Sequence, residues 1–194
     1  MIEIQRITAE TEPLFRQADE RRLDSEEVAV RVVKGGFALE YRPKPNALWN
    51  IVSRDEAEEA ALCAGERYLA FLDGEHAGRV ALRAGEHRLA LVEGLCVPLA
   101  LRHRGAGRAM LAFAENWARE RGLRGLCAET CDANAGACQF LTGCGFTLGG
   151  IDTLRYVCAS PEMRKAPALR ETALFLWQAL FSLPCAFPQN RPPF

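Results

Sequence analysis

Leu101-Arg102-His103-Arg104-Gly105-Ala106-Gly107-Arg108-Ala109-Met110-Leu111 carries three arginines, no acid and a cluster of small residues. It joins the apolar run Leu89-Ala90-Leu91-Val92-Glu93-Gly94-Leu95-Cys96-Val97 to an amphipathic segment, 109–121, in which Met110, Phe113, Ala114 and Trp117 share one helical face. A strand, a small-residue turn and a helix in that order gather backbone N–H groups at the helix start, where the helix dipole adds positive partial charge. Such a loop suits a phosphate group, with Arg104 and Arg108 supplying charge-assisted hydrogen bonds. Two better-known phosphate loops do not fit. Arg108-Ala109 follows Gly107 where a Walker loop requires Lys-Ser/Thr. Met110 stands where a dinucleotide fingerprint requires Gly or Ala. On composition alone, a basic helix-capping turn is an equal reading.

Upstream, segments 67–72, 78–83 and 89–97 are separated by turns at Asp73-Gly74 and around Gly85, the pattern of three consecutive antiparallel strands. The third is nearly all apolar, as a strand covered on both faces is, and has the single carboxylate Glu93 at its centre. Downstream, Gly122 closes the helix, 126–130 reads as a strand, 135–141 as a short helix, and 145–148 and 153–158 as two further strands. The expected fold is a mixed, mostly antiparallel α/β sheet with flanking helices.

The first 65 residues are less diagnostic. They suggest a strand at 2–7, helix and loop over 9–27, a short strand at 37–41 broken by Pro43 and Pro45, and a helix at 54–64 capped by Ser53. Segment 172–187 holds no charge but is shorter than the ~20 residues of a membrane span. It reads as a helix whose apolar face packs on the domain or forms a homodimer contact. The chain accordingly divides into a domain at 1–160 and a C-terminal helical extension and tail at 161–194.

Hydrophobic residues at 49% and charged residues at 25% of 194 exclude extended disorder and collagen-like repeats. With Lys+Arg 24 against Asp+Glu 25, no global basic excess points to nucleic acid or an anionic membrane. Met1-Ile2-Glu3-Ile4-Gln5-Arg6 lacks the basic start and long apolar run of a signal peptide, so a cytoplasmic location is expected. The eight cysteines are then expected to be mostly small buried hydrophobes. Cys127-x3-Cys131 and Cys138-x5-Cys144 are looser than tetrahedral zinc spacings, and no metal is expected.

Arg104-Gly105-Ala106-Gly107-Arg108-Ala109 fits the Arg/Gln-x-x-Gly-x-Gly/Ala signature of the GNAT superfamily of acyl-CoA-dependent N-acetyltransferases. Glu115-Asn116-Trp117-Ala118, Glu129-Thr130, Asp132-Ala133-Asn134, Cys144-Gly145-Phe146 and Gly149-Gly150-Ile151-Asp152-Thr153 narrow the resemblance to the streptothricin acetyltransferases, over about 68–156. The resemblance implies central strands that splay at a bulge and form a slot for acetyl-CoA; Gly94 is where such a bulge costs least. It further implies that Arg104, Gly105, Ala106, Gly107, Arg108 and Ala109 hold the pyrophosphate. Backbone groups of Leu95, Cys96 and Val97 would pair with the pantetheine arm, and Asn134 would meet that arm from the other side.

Transfer of acetyl to an amine first requires loss of a proton from an ammonium that titrates near ~10. Glu93 is the leading catalytic base, because a carboxylate inside an apolar strand is expected to titrate closer to neutrality. The other reading of Glu93 is a structural carboxylate bonded to a neighbouring strand. Glu129 and Asp132 are the second choice as base and equally suit binding of a small cationic amine substrate. Leu141 departs from the resemblance, which implies a Tyr that protonates the departing thiolate; leucine has no proton to give. Tyr156 is the catalytic stand-in, with Thr142 and Cys144 as others, and Cys131 replaces the Gln of the resembled family. The expected function is an acetyl-CoA-dependent N-acetyltransferase acting on a primary amine of a small cationic, streptothricin-type molecule. The alternative is a weakly active or non-catalytic module that binds acyl-CoA or another protein.

Overall fold

The alternation of apolar and turn-forming residues over 67–97 folds as a meander. β4 (Glu66–Leu72), β5 (Glu75–Ala84) and β6 (Leu89–Cys96) pair antiparallel in chain order. The β4–β5 turn places Asp73 and Gly74 at φ 52 and 84, the left-handed pair that a tight hairpin needs. β1 (Ile2–Arg6) pairs with the outer edge of β4, and α1 (Glu12–Arg16) follows it. After β6 the chain crosses over through α2 (Ala106–Glu120) and returns as β7 (Gly125–Cys131), parallel to β6. α3 (Ala135–Gly143), β8 (Thr147–Asp152) and β9 (Ala173–Ala179) complete the chain. This computed structural model describes residues 1–17, 21–51, 62, 64–155 and 172–180. Its sheet runs β1-β4-β5-β6-β7-β9-β8, the mixed, mostly antiparallel α/β arrangement expected from the sequence.

The two sheet faces differ. Val80, Leu82, Ala90, Val92, Leu126, Ala128, Leu174 and Leu176 point to one side, where they bury Met110, Leu111 and Ala114 of α2 and Ala135, Cys138 and Leu141 of α3. Each fully buried Leu contributes about 1.5–3 kcal/mol. On the other side Leu69 and Ala81 pack with Phe15 of α1 and Leu62. Arg79 is buried on that side with a defined partner set: it donates to the Phe15 carbonyl, and its guanidinium lies 4.9 Å from the Phe15 ring centroid. α1 is thereby fixed to the sheet.

Three expectations are corrected. The helix expected at 172–187 is strand β9 over Ala173–Ala179, inserted between β7 and β8; 181–187 lie outside the described residues. Leu174 and Leu176 face the core while Phe175 and Trp177 face the other side, a period of two that an all-apolar run conceals. The sheet therefore extends past residue 160 in sequence, and the segment assigned to a C-terminal helical extension contributes a strand to it. The strand expected at 153–158 is absent over 153–155, because Asp152 Oδ1 accepts the Leu154 and Arg155 N–H groups at 2.8 and 3.0 Å and turns the chain.

The N-terminal part is also more extended than its sequence suggests: β2 (Arg21–Val33) and β3 (Gly36–Ile51) form a two-stranded arm. Pro43 and Pro45 do not end β3. They sit at a bulge, between Glu26↔Pro43 and Asp24↔Leu48, where no ladder donor is required. Of the helix expected at 54–64, Leu62 and Ala64 are among the described residues, and both are helical.

Gly94 takes φ +58, and a Cβ built there lies 2.4 Å from Leu62 Cδ1. Gly94→Ala is therefore expected to cost about 2 kcal/mol from backbone strain and crowding. For a chain of this length that is a fall in Tm of roughly 4–8 °C, measured by thermal melting. An unchanged Tm would show that the bulge does not need its glycine.

Candidate active site

The bulge lies where the sheet opens. β5 and β6 pair at Ala81↔Glu93 and again at Arg79↔Cys96, so β6 carries one extra residue across two steps of β5. The parallel β6–β7 ladder stops at Val92↔Ala128, although β6 continues to Cys96 and β7 to Cys131. The two central strands thus part at their C-terminal ends, the slot expected around Gly94.

The arginine-rich loop ends at this opening. Gly105, at φ +93, is the N-cap of α2, and the helix's first hydrogen bond runs from Ala109 N–H to the Gly105 carbonyl. The N–H groups of Ala106, Gly107 and Arg108 precede that ladder and are available to an anion. Gly107 has a second requirement, since a Cβ there would lie 2.9 Å from Phe140 Cζ on α3. The arginines divide their work. Arg102 donates to the carbonyls of Val97 and Arg21 and so ties the loop to β6 and to the arm. Arg108 reaches the Gly143 carbonyl at 3.4 Å, and Arg104 contributes to holding the exposed Asp73 carboxyl below its usual range, after the larger effect of the Met1 ammonium.

Leu95, Cys96 and Val97 follow the bulge and are half-buried. Asn134 is the N-cap of α3: its Oδ1 accepts the Ala137 N–H at 3.2 Å, which fixes the helix start beside the end of β7. Leu141 is buried in the core. Tyr156 lies outside the described residues.

Glu93 and Glu129 lie on the sheet face opposite α2 and α3. Glu93 is not surrounded by apolar side chains alone: Arg83 donates to its Oε1 at 2.8 Å, and the carboxylate in turn raises the Arg83 pKa. Its Oε2 is buried and has no hydrogen-bond partner among the described residues. Glu129 pairs with Arg155 and stands opposite Phe175 in the β7–β9 ladder. Asp132 acts as a clasp. Its Oδ1 accepts the Thr172 N–H at 3.0 Å, its N–H donates to the Thr172 carbonyl, and its carbonyl accepts the Val28 N–H. The structure thus brings Glu93 and Glu129 to one face, while one oxygen of Asp132 is already engaged.

Arg83, Phe175 and Arg155 were missed in the sequence. The first two reach the site only through strand register, and Arg155 only through the turn at Asp152; no local motif marks any of them. Among the described cysteines, Cys127, Cys131 and Cys138 are buried and Cys96 and Cys144 half-buried; Cys63, Cys158 and Cys185 lie outside the described residues. Burial pushes the Cys127 thiol up to about 11 and that of Cys138 up to about 12, far from a reactive thiolate. No helix among the described residues is long and apolar enough to cross a membrane.

Comparison with known proteins supplies the remaining link. A streptothricin acetyltransferase of Escherichia coli is 36% identical over 121 residues, which are 62% of this chain and 67% of the relative. Streptothricin acetyltransferase A of Bacillus subtilis is 33% identical over 108 residues, 56% of this chain and 58% of that protein. A Bacillus anthracis protein crystallised in complex with acetyl coenzyme A superposes with a TM-score of 0.78 at 21% identity, covering 92% of this chain and 99% of that one. Nourseothricin acetyltransferase gives 0.74 at 25% identity, covering 93% and 99%. The family model described as acetyltransferase (GNAT) matches residues 37–146, from the arm through the opened slot to the end of α3, and the chain belongs to that family.

Proposed function

We propose that the protein transfers the acetyl group of acetyl-CoA to a primary amine of a small cationic molecule of the streptothricin type. The observation that carries this reading is the Glu93 Oε2 atom, a buried carboxylate oxygen without a partner among the described residues, on the strand that leaves the β6–β7 ladder. A buried acceptor of this kind is costly unless something binds to it.

Acetyl-CoA is the acetyl donor of the family, and the residues present fit it. The N–H groups of Ala106, Gly107 and Arg108, with the Arg104 and Arg108 side chains, would hold its pyrophosphate. Backbone groups of Leu95, Cys96 and Val97 would hold the pantetheine arm, with Asn134 setting the helix start on the other wall. Bound there, it supplies an acetyl group activated as a thioester.

Glu93 is the base in this reading. A lysine-like ammonium titrates near ~10.4 and is almost wholly protonated at neutral pH, so its attack depends on a group that takes the proton. Arg83 engages one carboxylate oxygen and leaves the other for that task. Glu129, paired with Arg155 on the same face, is a second carboxylate beside the approach of a cationic amine. Leu141 can donate no proton, and a thiolate is a competent leaving group without one.

The test is a thiol-release assay with acetyl-CoA against streptothricins, lysine derivatives, polyamines and aminoglycosides. Release is expected with cationic primary amines, with a KM for the amine that rises several-fold as salt shortens the reach of exposed charges to about 8–10 Å. Selective turnover of neutral or anionic acceptors would overturn the acceptor assignment. CoA binding without thiol release from any member of the panel would favour the binding-module alternative.

A further inference from the structure

Glu129 and Phe175 are direct neighbours in the antiparallel β7–β9 ladder, on the sheet face that also carries Glu93. Arg155 closes over both. Its Nε donates to Glu129 Oε1 at 2.5 Å, and its guanidinium carbon lies 5.6 Å from the Phe175 ring centroid. A carboxylate beside an aromatic face holds an organic cation twice over, by charge and by the ring quadrupole. Here the bound cation is part of the chain itself.

Two features make that cation displaceable. The Arg155 and Glu129 side chains are 51% and 30% exposed, so water competes for both and the pair contributes little net stability. The Arg155 backbone is held independently, through its N–H to Asp152 Oδ1, so the side chain can leave without unwinding the turn.

We propose that Glu129 and Phe175 seat a second cationic group of the acceptor, distinct from the amine that is acetylated, and that Arg155 is an internal cation which the acceptor displaces. The proposal rests on the cationic acceptor argued above and refines it. The preferred acceptors carry two cationic groups, an ammonium plus another ammonium or a guanidinium, and Arg155 lowers their affinity by competing for the seat. Arg83 takes no part, because it holds Glu93.

Calorimetry with CoA in excess, using cadaverine as the dication and n-pentylamine as the monocation of equal chain length, tests this directly. Arg155→Ala is expected to tighten cadaverine about fivefold, the size of a part-exposed ion pair, and n-pentylamine by less than about twofold. Arg155→Gln repeats the measurement if the alanine variant does not fold, and Arg155→Lys keeps a competing cation and the wild-type affinity. In a Glu129→Gln background the gain from Arg155→Ala is expected to vanish. Cadaverine binding that is unchanged or weaker in Arg155→Ala or Arg155→Gln overturns the proposal, as does equal tightening of both amines. Tighter cadaverine binding together with no thiol release from any acceptor would leave this seat standing while the transfer reading fails.

Discussion

Glu93→Gln is expected to lower kcat at pH 7 by about 10²–10³-fold, the range in which a positioned general base acts, with little change in the Kd of CoA. The glutamine keeps the shape of the side chain and an oxygen for Arg83, so the loss reports proton transfer more than packing. The pH profile separates the two. A variant without its base depends on amine that is already neutral, and that fraction rises tenfold per pH unit up to the amine pKa near ~10. The deficit of Glu93→Gln should therefore shrink steadily from pH 7 toward pH 9.5. A deficit constant with pH and matched by a fall in Tm would make Glu93 the structural partner of Arg83. A rate equal to wild type would remove it from the mechanism.

Legibility differed between the parts of the molecule according to the range of the interactions that build them. The meander, α2 and the phosphate loop are local: turn residues at Asp73-Gly74, a helical stripe from Met110 to Trp117, and glycines before a helix are all visible within about ten residues of one another. The bulge itself was implied by the family resemblance; its place was readable, because Gly94 after a mid-strand Glu93 is where an extra residue is tolerated, and the structure has it there at φ +58. β9 was not readable as a strand. Its two faces are both apolar, Leu174 and Leu176 toward α2 and Phe175 and Trp177 away, so no alternation of polarity distinguishes it from a buried helix. Arg83, which stands opposite Leu91 and reaches Glu93 diagonally, and Phe175 opposite Glu129 depend on pairing register across strands separated by a turn in the first case and by more than forty residues in the second. Asp132 carries a tertiary role that its position does not reveal: a carboxylate at the end of a strand reads as a substrate ligand, and through Oδ1 it is also the clasp of the segment entering β9.

Gly107→Glu is expected to weaken CoA binding about 100-fold, the cost of setting a carboxylate against a pyrophosphate that would otherwise take two or more charge-assisted hydrogen bonds. Two effects must be separated at this position. Any side chain at 107 meets the Phe140 ring, 2.9 Å from the built Cβ, and the ring must shift. Gly107→Ala carries that steric cost alone, with the better helix propensity of alanine as partial compensation. The glutamate adds charge, and an acidic residue in the first turn of α2 is favourable to the helix itself by about 0.3–1 kcal/mol. The fold should therefore tolerate the glutamate at least as well as the alanine, and the two variants should melt within a few degrees of each other. Their CoA affinities should nevertheless differ by an order of magnitude or more, with the gap narrowing at high salt as the added charge is screened. Equal CoA Kd values for the alanine and glutamate variants would mean that the pyrophosphate does not lie at the start of α2, and the loop would then be the basic helix cap that its composition alone also allows.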